Sequence, residues 1–174
     1  LRAVLPYIPQ AIALQKMQKQ QEYLSYHDDL TGLLNRNSFV DYLDHVKEQE
    51  LKSLGALSID INGLKNFNNE FGRDYGDEVV IRVGEILGEY FHSGDVYRLT
   101  GDEYLVLMEN TSYEDFTKQI YAVHSRLDNI SLGLASMGYA WEKVDIEPEK
   151  LVTNAEGMMC EEKKKYYKTR GHGH

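Results

Sequence analysis

The sequence predicts an α+β fold: one mostly antiparallel sheet backed by helices, preceded by a helical arm. Three observations predict it. Short apolar runs alternate with longer stretches of helical period, in the order α-β-α-β-β-α-β-α. Two of the strand-like runs are separated by little more than Thr100-Gly101-Asp102, which joins them as a hairpin. The composition, 42% hydrophobic and 27% charged over 174 residues, suits one domain with a real core plus an appendage rather than a disordered chain. A sheet and helices in this order give the ferredoxin-like arrangement.

The start, "LRAVLPYIP", lacks Met and carries two prolines, so it reads as a cut from a longer chain and not as a signal peptide. Residues 10–26 are rich in helix formers, and Leu14, Met17, Gln21 and Leu24 follow a weak heptad spacing. Such a helix either packs on its own domain or carries dimerisation and signals from an upstream module. Gly32 and Asn35 punctuate a turn, and a helix is predicted from Ser38 to Gln49. "LGALSIDI" (54–61) reads as a buried strand. A short helix and a Gly-rich turn follow, then an amphipathic helix over 76–91 whose Val79, Val80, Val83, Ile86 and Leu87 form a core face. "DVYRL" and "EYLVLME" are the hairpin strands, 113–127 is a helix, "LGLASMGYA" is a strand, and 148–168 is the last helix. The "GHGH" end (171–174) is given no role.

The formal net charge of -9 argues against a nucleic-acid or anionic-membrane surface, since both demand a basic excess. An acidic chain that binds a phosphorylated substrate needs metal ions or a local cluster of cations. The single cysteine, Cys160, excludes an intramolecular disulfide and fits a reducing compartment. No apolar run approaches the ~20 residues of a membrane helix. The histidines show no metal-ligand spacing; His27 reads as a turn residue, and Trp141 and most of the 13 tyrosines as packing or surface residues.

Carboxylates carry the chemical signal. Asp60 ends the first strand, and the hairpin carries Asp102 and Glu103 at the end of its neighbours. Three acidic groups from adjacent strands suit hard divalent cations and two-metal phosphoryl transfer. Gly101 would turn the hairpin tightly and let backbone approach a phosphate. The chain enters a helix after Asp60 through Ile61-Asn62-Gly63-Leu64, whose free amides would suit anionic phosphate. Taken singly, Gly-Asp in a hairpin is ordinary turn chemistry and a strand-terminal Asp is an ordinary helix cap.

Four blocks in order resemble the GGDEF family, the diguanylate cyclase domains of bacteria: "HDDLTGLLNR" (27–36), "DINGLKNFNNEFGRDYGDEVV" (60–80), "RLTGDEYLVL" (98–107) at the signature, and "AEGMMCEEKKKYY" (155–167). The resemblance covers about 27–167 and implies a palm-type GGDEF domain over 27–170, a linker or signalling helix over 1–26, and a tail at 171–174. It implies condensation of two GTP to cyclic di-GMP with release of pyrophosphate, each domain holding one GTP and two domains facing each other as a homodimer. By the same likeness Asp60, the Ile61 carbonyl, Asp102 and Glu103 would hold Mg²⁺ or Mn²⁺, two ions per GTP site, with Asp102 and Glu103 catalytic. Asn68 and Asp77 would read the guanine edge, an Asp accepting from both N1–H and the exocyclic amine. Backbone at Gly63, Leu64 and Gly101 would meet the phosphates, and Lys65 and Lys163 would supply charge there; either lysine could equally be a solvated helix residue. An upstream sensor and a C-terminal phosphodiesterase domain are expected neighbours, and the domain is expected in the cytoplasm.

The pattern departs from the family at several positions. Thr100 replaces the first signature Gly, and Tyr104 the closing Phe, adding a hydroxyl that needs a partner. Asn62 replaces the second Asp of its block, Asn69 and Arg73 replace an Asp and a His, and Cys160 replaces a Tyr. Tyr167 stands where the family often has Arg, which removes one expected phosphate contact. "FHSG" (91–94) stands where a product-inhibition motif, R-x-x-D, would lie, so no standard inhibitory site is expected. These departures also allow a second function, a GTP-binding or dimerising regulatory module with little turnover. A cyclase making another dinucleotide is disfavoured by Asp77. Asp77→Ser is expected to weaken discrimination against ATP in competition turnover; a variant keeping full guanine preference removes Asp77 from that role.

Overall fold

The continuous apolar run "LGALSIDI" becomes the centre of the sheet, buried at every residue, as expected of a strand covered on both faces. The computed structural model describes residues 7–92 and 95–169. Its elements are α1 (Tyr7–Tyr26), α2 (Arg36–Val46), β1 (Leu54–Ile61), α3 (Leu64–Phe71), α4 (Arg73–Tyr90), β2 (Val96–Arg98), β3 (Glu103–Glu109), α5 (Tyr113–Asp128), β4 (Ala135–Glu142) and α6 (Pro148–Thr169). The four strands lie in the order β2-β3-β1-β4, with every pair antiparallel. This is the α+β, ferredoxin-like arrangement that the element order predicts.

Alternation along β1 separates two cores. Leu57, Ile59 and Ile61 join Tyr104 and Val106 of β3 beneath α4 and α5, where Val83, Ile86, Phe116 and Val123 are fully buried. Leu54 and Ala56 join Leu105 and Leu107 on the opposite face, beneath α6 with Leu151, Val152 and Ala155. Asp60 and Glu103 therefore fall on the α6 face, by the two-residue period of each strand.

The ends of several elements differ from expectation, each for a local reason. α1 begins at Tyr7, because Pro9 lies in the first turn, where its missing N–H costs nothing. α2 begins at Arg36, because the Asn35 side chain accepts from Ser38 N. It ends at Val46, after which Glu48 and Gln49 turn on bonds to His45 and Val46. α4 starts three residues early, at Arg73, because Gly72 (φ 92°) ends α3 and opens α4. β4 starts at Ala135, after a turn around Gly133 (φ 71°).

The opening block ties α1 to the sheet. Asn35 Nδ2 donates to the carbonyls of Leu24, Ser25 and His27 at the end of α1. Leu34 N donates to Val96 O, and Arg98 N to Leu34 O, so the block runs along the outer edge of β2. The heptad positions Leu14, Met17 and Leu24 are exposed. Among the described residues no helix is long and apolar enough to cross a membrane. Of "FHSG", Phe91 is core, whereas residues 93–94 lie outside the described residues, as do 1–6 and the whole "GHGH" end.

Gly138 fixes how closely α6 lies on β4. A Cβ there would stand 2.1 Å from Met159 N and 2.2 Å from Ala155 O, both backbone atoms. Gly138→Ala is expected to cost about 1–3 kcal/mol by overpacking, a fall of roughly 3–10 °C in Tm. An unchanged calorimetric melt would contradict this contact.

Candidate functional site

Asp60 and Glu103 are directly opposite each other in the β1–β3 register. Opposed residues project to one face, and two like charges there repel. Asp60 is 1% exposed. Its Oδ2 accepts from Lys163 Nζ of α6 at 2.7 Å, and its Oδ1 is buried with no hydrogen-bond partner. Burial raises the Asp60 pKa; the Lys163 hydrogen bond and charge oppose that rise, and Asp102 and Glu103 add to it. Burial pulls the Lys163 ammonium down, but the bond and charge of Asp60 outweigh it, so the lysine is raised and stays charged.

The hairpin holds its carboxylates from within. Thr100 Oγ1 lies 3.0 Å from Glu103 Oε2 and 3.4 Å from Asp102 Oδ1, so the hydroxyl that replaces a glycine hydrogen bonds the acids it adjoins. Ile61 N donates to Asp102 O at 2.9 Å, tying the turn to β1. Tyr104 is fully buried, and its hydroxyl finds the expected partner in Val80 O at 2.8 Å. Gly101 corrects one expectation. Its φ is not positive, so the turn does not demand a glycine. A Cβ at Gly101 would meet nothing within 4 Å, and the space beside the backbone is open.

An ion pair braces this turn. Arg98 donates to both oxygens of Asp28 at 3.1 and 2.9 Å, and its Nη2 donates to Gly101 O at 2.9 Å. Thr31 donates to Asp28 through backbone and hydroxyl. Burial raises the Asp28 carboxyl, but the bonds from Thr31 and Arg98 outweigh it and its pKa is lowered. Neither Asp28 nor Arg98 shows a role in the sequence alone. The available signal was an acid in the opening block and a base beside the signature.

At the start of α3, Gly63 takes φ 72°, the left-handed region that favours glycine. Its carbonyl accepts from Asn66 N and Phe67 N, and no side chain caps the helix. The Leu64 and Lys65 amides belong to the first turn, which has no intrahelical acceptor for them. The Gly63 N–H donates to the Tyr167 hydroxyl at 3.2 Å. The Lys65 side chain is exposed. Asn62, read as a lost carboxylate, is a fully satisfied structural residue: Nδ2 donates to Gly133 O and Oδ1 accepts from Ser136 Oγ.

Asn68 Oδ1 is buried without a partner. A Cβ at Gly76 would stand 1.8 Å from that oxygen, so the glycine makes room for the carboxamide. Asp77, the next residue, is exposed. The structure thus brings Asn68 against the start of α4 beside Asp77. It brings Asp60, Ile61, Asp102, Glu103 and Lys163 to one sheet end, while Lys65 is exposed. Glu156 of α6 is a further acid near Glu103; burial, then that charge, raises its pKa.

Among the described residues no three potential metal ligands stand close enough to hold an ion as they are. The donor set nevertheless fits a hard cation. Asp60 Oδ1 is an orphaned buried carboxylate oxygen, Glu103 opposes Asp60 in the sheet, and the Asp102 charge also raises the Asp60 pKa.

The sequence profile described as "Diguanylate cyclase, GGDEF domain" matches residues 25–168. The chain belongs to the GGDEF domain family. It is 32% identical over 146 residues to the probable diguanylate cyclase DgcI of Escherichia coli, covering 80% of this chain and 31% of that protein. It is 31% identical over 114 residues to the cyclic di-GMP phosphodiesterase PdeR of Escherichia coli, covering 64% of this chain and 17% of that protein. The chain thus spans a sixth to a third of these relatives' length. Its fold matches the coiled coil and GGDEF domain of DgcB from Caulobacter crescentus, in complex with c-di-GMP, with a TM-score of 0.77 at 20% identity over 97% of this chain and 93% of that one.

Arg98→Ala is expected to cost about 2–3 kcal/mol in urea unfolding, since it strands a half-buried carboxylate. Asp28→Ala/Arg98→Ala should cost clearly less than the two single losses added together. Simple additivity would show that the pair does not brace the turn.

Proposed function

We propose that this domain binds GTP and condenses two molecules of it, across a homodimer, into cyclic di-GMP and pyrophosphate. The observation that carries the reading is the opposed pair Asp60–Glu103, with an orphaned Asp60 oxygen beside the Gly101-Asp102 turn. A chain keeps two like charges face to face where a cation is to be held.

In this reading Asp60, the Ile61 carbonyl, Asp102 and Glu103 hold magnesium or manganese, two ions per GTP. Such ions, when bound, lower the pKa of the attacking hydroxyl and neutralise charge on the phosphates. Asn68 and Asp77 take the guanine edge, the orphaned Asn68 oxygen accepting a hydrogen bond from a guanine N–H and the Asp77 carboxylate accepting from N1–H and the exocyclic amine together. The Gly63 and Leu64 amides and the open space at Gly101 receive phosphate oxygens. Lys163 gives its charge to phosphate once Asp60 is otherwise engaged. Lys65, whose side chain is exposed at the start of α3, supplies further charge to the phosphates. The 3′-hydroxyl of each GTP attacks the α-phosphorus of the other, with Glu103 beside the proton that leaves. One domain is half of the reaction centre, so the exposed face of α1 acquires a purpose: it controls whether two domains meet. Upstream sensory and downstream phosphodiesterase domains, and a cytoplasmic setting, belong to the same proposal.

A second reading, a GTP-binding regulatory module with little turnover, is favoured by two contacts. Thr100 fixes Glu103, and Tyr167 takes the Gly63 amide.

Incubation at high protein concentration with GTP and Mg²⁺ should yield cyclic di-GMP on chromatography, and Asp102→Ala/Glu103→Ala should yield none. Thr100→Gly, which frees both acids, should raise turnover several-fold, one hydrogen bond being worth about 2- to 10-fold. GTP binding without product, even from forcibly dimerised domains, selects the regulatory module.

A further inference from the structure

α6 reaches the phosphate side of the site with two side chains one helical turn apart. Lys163 lies 2.7 Å from Asp60 Oδ2. Tyr167, four residues on, places its hydroxyl oxygen 3.2 Å from the Gly63 nitrogen, across 104 residues of chain. We propose that the Tyr167 hydroxyl occupies the backbone donor that a GTP phosphate oxygen must take, and so sets how tightly the triphosphate end of the nucleotide is held. This rests on the GTP reading above.

Geometry supports a stand-in rather than an incidental contact. Gly63 is in the left-handed conformation, which fixes the direction of its N–H at the mouth of α3. A phenolic oxygen at that donor occupies the place of an anionic oxygen, with less charge. No side chain of α3's own N-terminus caps it, and among the described residues the oxygen that meets the Gly63 N–H comes from α6. The Tyr167 ring is steadied edge-on by Tyr166, with centroids 5.2 Å apart. Gly63, Asn66, Glu70, Tyr166 and Tyr167 line a cleft of about 150 Å³, smaller than the ≈ 300 Å³ at which small-molecule pockets begin. A nucleotide phosphate gains this amide only when the tyrosine turns away.

A phosphate oxygen makes a charge-assisted bond, roughly twice as strong as a neutral one. GTP therefore displaces the phenol but loses affinity by the worth of the bond it breaks. Tyr167→Phe keeps the ring and deletes the competing oxygen.

The test is calorimetric titration of parent and Tyr167→Phe with 3′-deoxyguanosine triphosphate and Mg²⁺. That nucleotide lacks the attacking hydroxyl, so no condensation obscures the binding. Guanosine, which has no phosphate, is titrated in parallel, and a melt of each chain verifies its fold. The expected result is triphosphate binding about 2- to 10-fold tighter in Tyr167→Phe, with guanosine unchanged. Equal or weaker triphosphate binding by a folded variant overturns the proposal; weaker binding makes the hydroxyl a phosphate contact instead. In both cases binding by the parent leaves the GTP reading standing. No triphosphate binding by either chain overturns that reading and the proposal with it.

Discussion

Two carboxylates facing each other across neighbouring strands are what the rest of this structure accommodates. Asp60 and Glu103 are opposed in the β1–β3 register, and Asp60 is almost wholly buried. A buried charge beside a like charge is costly unless a cation stands with it. In the chain as it stands that cation is the Lys163 ammonium. It satisfies one oxygen of Asp60 and leaves the other orphaned. The cost of the arrangement is borne by the two cores on either side of the sheet, whose strands cannot slip by one residue without turning Leu57 and Ile59 out of place.

α6 is the element through which this pair is managed. Its first half is seated on the sheet through Leu151, Val152 and Ala155 and by direct backbone approach at Gly138. Its second half supplies Lys163 to Asp60 and Tyr167 to Gly63. A second support comes from the opposite side of the hairpin. The end of α1 is capped by Asn35, the same block carries Asp28, and Asp28 holds Arg98 against the Gly101 carbonyl. A change in the pitch of α1 thus has a chain of hydrogen bonds to follow as far as the turn. That is a physical route by which the α1 arm connects to the turn that carries the acids.

Much of this was legible in the sequence. The element order, the strand at 54–61 and the helix at 148–168 follow from apolar period and turn residues, which are local signals. Asp60, Asp102 and Glu103 were legible as a group because strand ends and a hairpin tip are read from the same pattern. Helix ends were less so, because the Asn35 cap and the left-handed Gly72 act through side-chain and backbone geometry. The contacts that shape the site were not legible at all. Asp28 to Arg98 spans 70 residues and Gly63 to Tyr167 spans 104, and no periodicity records such a pairing. Gly101 was read as a tight-turn glycine and has no positive φ; the signature glycine is open space, not backbone strain. Thr100 was legible only as a replacement of the first signature glycine, whereas its hydroxyl bonds to the neighbouring acids.

The proposed function depends on the opposed acids forming a cation site that nucleotide completes. Manganese binding measures it directly, through loss of the free-ion electron paramagnetic resonance signal on titration with and without GTP. GTP should strengthen manganese binding at least tenfold in the parent, and Asp60→Asn should abolish this gain while keeping its fold. Equal manganese binding by parent and Asp60→Asn in the presence of GTP would contradict it, and would make the Asp60–Glu103 pair a structural feature held by Lys163 alone.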